Sequence, residues 1–163
     1  MTFSQSLLPE FDEEMTNTRK ILERVPDGKF DYQPHPKSMS LGGVASHVGD
    51  LPAWISLTLD EDGLDLQPGT KPYYADSRAR LLDHFDNSVE MAREKIAAAP
   101  DERWAGMWTF RYGGHVVFSL PRSQVMRSYV MNHLIHHRAQ LGLFLRLNDV
   151  AIPGMYGPSA DEK

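Results

Sequence analysis

Cysteine is absent from the chain. That one absence excludes disulfides, thiolate metal ligands and a cysteine nucleophile together. Any metal must be held by His, Asp, Glu or water, and any thiol used in chemistry must come from outside. Long apolar runs are missing too. No stretch reaches the roughly 18 apolar residues of a membrane span, so a membrane partner is not expected. The start, Met1 to Phe11, lacks the basic opening and apolar stretch of a signal peptide. A cytoplasmic location is therefore expected. Positive charge is outweighed: 17 Lys and Arg face 22 Asp and Glu, a formal net charge of −5. A mildly acidic protein gains little from a polyanion, so nucleic acid is not an expected partner. Internal repeats, low-complexity tracts and linkers are also lacking. One domain over residues 1–163 is expected, a length that can bury a sizeable core.

What is present reads as helix. Hydrophobic residues make up 41% and charged residues 24%. Phe3, Leu7, Phe11, Met15, Thr18 and Leu22 recur at helical steps, which predicts a helix from about Ser4 to Val25. A second begins near Ser38 or Ser40, either of which can cap it. Its apolar stripe is Val44, Val48, Leu51 and Ile55, with His47 and Trp54 at the edge. Pro52 removes a backbone bond there and predicts a kink. Leu81, Phe85, Val89 (or Ser88), Ala92 and Ile96 mark a third helix from about Ser77 to Ala98. A fourth runs from about Pro121, suited to a first turn, to Leu147. Between the last two, Trp108–Tyr112 and His115–Phe118 flank Gly113-Gly114, the pattern of a β-hairpin. The expectation is an all-α four-helix bundle with a short hairpin between its third and fourth helices.

The densest chemistry lies in Asn132–Gln140. His133 and His137 are one turn apart and about 40° around the helix axis, so their rings can converge on one ion. Both fall in the stripe Met126, Val130, His133, His137, Leu141 and Phe144, which should face the core. Burying a polar group unpaired costs on the order of 1–3 kcal/mol, and a shared metal would relieve both rings. The bland alternative is a pair of histidines satisfied by hydrogen bonds. The third ligand must come from another helix, and His47 is the best placed. His84 is a weaker candidate. His35 and His115 fall in a loop and in the hairpin. The pattern is not that of a zincin, which needs Glu directly after the first His; here Leu134 stands there.

With these residues in hand, the chain resembles the DinB/YfiT-like family of metalloenzymes. The name is shared with an unrelated DNA polymerase, and no polymerase function follows. The segment Val25–Ser40 is similar to the family's stretch before its second helix. His47, in Val44-Ala45-Ser46-His47-Val48, falls where the family has its first metal histidine. His133–Gln140 resembles the family's His-x-x-x-His-Arg-Gly-Gln signature, with Ala139 where Gly is commoner. Ile152–Ser159 is similar to its usual close. The resemblance implies a helical bundle whose three histidines, here His47, His133 and His137, hold one divalent ion, zinc or nickel first and iron next. It also implies frequent homodimers. Relatives include thiol-dependent S-transferases and a mycothiol-dependent maleylpyruvate isomerase.

The favoured reading is an enzyme acting on a small molecule with a low-molecular-weight thiol, by S-transfer or thiol-assisted isomerisation. His136, Tyr129 and Asp50 are the candidates for proton transfer or for supporting the ligands, and Trp54 for a pocket wall. A metal-dependent hydrolase using a metal-bound water is the first alternative. A non-catalytic module that binds a metal or small ligand is the second.

Overall fold

A computed structural model describes residues 1–162. Helix α1, Phe3–Leu22, opens on a capping box in which Thr2 accepts from Gln5 N–H and Gln5 reaches back to the Thr2 backbone. Its face of Leu7, Phe11, Met15 and Leu22 is buried. Ser40, not Ser38, caps α2, Leu41–Asp50, by accepting from Gly43 N–H. The expected second helix does not run through Pro52. It divides there into α2 and α3, Ala53–Asp60. Trp54 N–H turns to Leu51 O, three residues back. The whole stripe of Val44, Val48, Leu51 and Ile55 is nonetheless buried, so the break redirects the chain without losing the core face. Helix α4 spans Arg78–Ala98, behind the Ser77 cap. A short α5, Asp101–Ala105, follows.

The expectation of an all-α four-helix bundle is overturned. The chain carries a three-stranded mixed sheet in the order β1-β2-β3. Strand β1 is Gly63–Leu66, β2 is Met107–Tyr112 and β3 is His115–Pro121. β2 and β3 pair antiparallel around Gly113-Gly114, both at positive φ, as a tight hairpin turn requires. β1 pairs parallel to β2, Gly63 opposite Thr109, and comes from the loop after α3. A Cβ on Gly63 would lie 2.3 Å from Thr109 O, so only glycine permits this pairing. Arg122, itself buried, clamps the junction. It donates to Thr58 O, Met107 O and Glu61 O and pairs with Asp62.

The expected fourth helix is helical throughout its length but not regular. Pro121 closes β3 and precedes α6, Arg122–Val125. A π-helical segment, Met126–Met131, follows, and then α7, Asn132–Arg146. In the π segment Asn132 N–H reaches Arg127 O, five residues back, so one extra residue is fitted into the turn just before His133. α1 packs on α4 and α7, and α2 lies against both α4 and α7. The α2–α4 contact is close: a Cβ on Gly49 would meet Leu81 Cδ1 at 2.7 Å. The tail folds back on α7, with Arg146 paired to Asp161 and Asp161 accepting from Ile152 N–H. Among the described residues no helix is long and apolar enough to cross a membrane.

Candidate metal centre

Two helices supply the site. His47 stands near the end of α2, and His133 and His137 stand one turn apart on α7. The α2–α7 contact brings all three rings together, with centroids 4.6 to 4.9 Å apart. His47 Nε2 lies 3.2 Å from His133 Nε2, and His137 Nε2 lies 2.9 Å from His133 Nε2. The three rings are half-buried at the edge of the core face of α7, not in its centre as the sequence stripe predicts. The centre of that face is Leu134, Arg138, Leu141 and Leu145.

The far sides of two rings are held. His133 Nδ1 donates to Tyr129 O at 3.2 Å, and His137 Nδ1 donates to Gln140 Oε1 at 2.7 Å. A neutral imidazole that donates from Nδ1 presents a lone pair at Nε2. The Nε2 atoms of His133 and His137 therefore face each other as acceptors at 2.9 Å, a contact that repels unless a cation lies between them. Nitrogens about 2.0–2.1 Å from a tetrahedral zinc sit roughly 3.3 Å apart. The donor set and its spacing fit one divalent ion, and among the described residues this is the group of His, Asp and Glu side chains that could hold one.

The electrostatics favour the ligand form. Burial, then the nearby His137 and His133, push the His47 pKa down to about 4. Burial also lowers His133 and His137, against the hydrogen bonds to Tyr129 O and Gln140 that raise them. All three are neutral at pH 7, as a metal requires of imidazole.

The other sequence candidates are placed as follows. Asp50 accepts from His84 Nε2 at 2.8 Å, and Tyr73 stacks on His84 at 3.8 Å. Asp50 and His84 thus form their own pair, apart from the triad. His136 is exposed, with its ring 4.9 Å from that of His137 and its Nε2 3.2 Å from the Gln140 amide. Tyr129 supplies its carbonyl to His133, while its ring stacks on Phe118 at 4.0 Å. His35 accepts from Lys37 N–H, and His115 is exposed at the start of β3.

Beside the triad lies a cavity of about 300 Å³. Its walls are Trp54 from α3, Trp108 and Phe110 from β2, Val117 and Phe118 from β3, Val125 from α6 and Tyr129 from the π segment, together with His47 and His133. The wall role foreseen for Trp54 is met. The part played by the hairpin is legible only in three dimensions. A register shift between β2 and β3 pairs Phe110 with Phe118 and Arg111 with Val116, which leaves Val117 as the extra residue. Such a bulge re-aims side chains, and here consecutive residues line one cavity. Sequence reading also missed Arg138. It is buried, pairs with buried Glu14 at 2.6 Å and donates to Glu14 O, Thr18 Oγ1 and Tyr156 Oη.

Residues 1–163 match the DinB family over their whole length. The uncharacterised protein YrdA of Bacillus subtilis is 21% identical over 155 residues, which are 95% of this chain and 89% of that protein. The fold is similar to that of a DinB-like protein from Bacillus cereus, with a TM-score of 0.72 at 24% identity, covering 93% of this chain and 97% of the other. A DinB-like protein from Bacillus subtilis is similar at a TM-score of 0.67 and 12% identity, covering 97% and 99%.

Proposed function

Because the chain belongs to the DinB family, we propose that it is a metal-dependent enzyme in which His47, His133 and His137 hold one divalent ion and a low-molecular-weight thiol is the nucleophile. The observation that carries this reading is the convergence of three Nε2 atoms beside an aromatic-walled cavity that His47 and His133 help to line. A divalent ion there supplies Lewis acidity, lowering the pKa of a bound thiol or water.

The chain's own residues favour the thiol. Water is a poor acid, and metallohydrolases usually place a carboxylate beside the ion as general base. Here Leu134 takes that position and is buried, and Asp50 is paired with His84. A thiol with an ordinary pKa of about 8.5 needs less help to ionise. The chain contains no cysteine, so that thiol is a co-substrate. Gln140 and the Tyr129 carbonyl fix which nitrogen of each ring on α7 faces the centre. His136, exposed and hydrogen-bonded to Gln140, is a further group that can carry a proton to solvent. In the transfer, the thiol loses its proton, a C–S bond forms at the substrate carbon, and the leaving group departs with its electron pair and takes up a proton.

The test has two stages. Metal content is measured by mass spectrometry on untagged protein, for wild type and for the His133→Ala/His137→Ala variant. About one equivalent in wild type and none in the variant is expected. Aryl halide turnover is then followed with and without a panel of small thiols. Thiol-dependent turnover supports the proposal. Turnover of esters without thiol would favour the hydrolase, and a wild type that takes up neither zinc nor nickel would remove both.

A further inference from the structure

The cavity beside the histidines has a chemistry of its own, and it bears on what the site accepts. The geometry points to a substrate whose bulk is an uncharged, planar ring system of about two fused rings, seated in the cavity with its reactive atom toward His47 and His133. This deepens the metalloenzyme reading and rests on it for the reaction, though not for the binding.

Size is the first argument. A buried cavity of about 150 Å³ lined by apolar side chains takes benzene. The space here is about 300 Å³, near the lower end of ordinary ligand sites. Wall chemistry is the second. Trp54, Trp108, Phe110, Phe118 and Tyr129 line it, and Trp108 and Phe110 lie almost parallel, 4° apart. Aromatic walls of this kind favour a flat aromatic guest through offset or edge contacts.

Charge is the third argument and the most selective. Among the described residues no Lys, Arg, Asp or Glu lines the cavity. The sheet's charges are on its other side: Arg111 and Arg122 line a separate hollow with Asp62 and Asp65. Arg122 is already committed to Asp62 and three carbonyls. A carboxylate, phosphate or sulfonate carried on the ring would lose its water and meet no cation along these walls, a cost that excludes it. The hairpin therefore sets specificity, since it contributes four of the named walls.

The test uses 2-naphthol and naphthalene-2-sulfonate, which share a ring system and differ in charge. Each is titrated calorimetrically at pH 7 into zinc-loaded protein and into chelator-stripped protein. We expect 2-naphthol to bind both forms, and the sulfonate to bind the stripped form at least about tenfold more weakly. Phe118→Asp should weaken 2-naphthol at least about tenfold. Val117 is 57% exposed, so Val117→Lys can add a cation to the rim without disturbing the core, and it should shift the preference toward the sulfonate. Far-ultraviolet circular dichroism checks that each variant is folded. If folded wild type binds no 2-naphthol, or the stripped protein binds both probes alike, or Val117→Lys leaves the preference unchanged, the inference is overturned. A protein that takes up no zinc but keeps its preference for 2-naphthol would sink the metal reading alone.

Discussion

A histidine buried among histidines leaves a signature in stability. The His47 pKa falls from an ordinary 6.5 to about 4, chiefly through burial. Below pH 6.5 the unfolded chain takes up a proton at His47 that the folded, metal-free chain refuses. The unfolded state therefore gains as pH falls, until His47 is protonated in both states near pH 4. In metal-stripped protein, the stability of wild type relative to His47→Gln should be flat above about pH 6.5, decline toward pH 4 and level off below it. Urea melts at half-unit steps would show this, and a flat difference throughout would refute it. Gln140 has a different signature. Its amide oxygen holds His137 Nδ1–H at 2.7 Å, and loss of such an outer partner typically costs about 10–100-fold in metal affinity. Gln140→Leu should show that loss by competition with a zinc chelator while still binding one equivalent. The spacing of His133 and His137 on α7 was legible in the sequence, because four residues make just over one turn. Gln140 was legible as part of a polar rim beside them, with Tyr129, Asn132 and His136, but not the ring atom it holds, because which atom of a ring faces which neighbour is a matter of rotamers.

At the scale of elements, the helices were legible and the sheet was only half so. Apolar residues at helical steps mark α1 and α4, and the caps Ser40 and Ser77 mark starts. The hairpin announces itself by its Gly-Gly turn. β1 does not. Four residues, Gly63–Leu66, are too few to show a period of two, and their partner β2 lies more than forty residues onward. The π segment is equally silent in sequence, since Met126–Met131 carries the same apolar pattern as the regular helix around it. Gly63 shows what that silence hides. Its missing side chain leaves room for a backbone carbonyl, Thr109 O, which cannot move aside without breaking the strand pairing. Gly63→Val should cost about 1–3 kcal/mol in urea denaturation, the usual range for overpacking. Gly49→Ala meets only the tip of the Leu81 side chain, which can rotate, and should cost less.

Across the whole molecule, one buried ion pair joins parts distant in sequence. Arg138 on α7 is 3% exposed and Glu14 on α1 is 6% exposed. Tyr156 of the tail donates to Glu14 Oε1 and accepts from Arg138. Removing one partner of such a pair strands the other charge and typically costs about 3–5 kcal/mol. Arg138→Met should lower stability by that order, and Glu14→Leu/Arg138→Met should recover a large part of it. A double variant no more stable than the single would show that packing, not charge, governs this contact. The sequence places Arg138 one residue after His137 and in helical step with Leu134, Leu141 and Leu145, but a charged side chain is not assigned to a buried stripe without a partner. That depends on where Glu14, 124 residues earlier, ends up.

The separation of His47 from His133 along the chain, 86 residues, has a consequence for the order of events in the cell. A nascent chain offers a single imidazole of the triad until α7 has left the ribosome. An ion held by all three side chains, as proposed, would close a loop of 86 residues, and such a closure removes freedom from the unfolded chain much as a covalent crosslink does. Metal uptake would then report that α7 has been made and has docked on α2. A chain cut short before α7 would carry His47 alone and could not form that clasp.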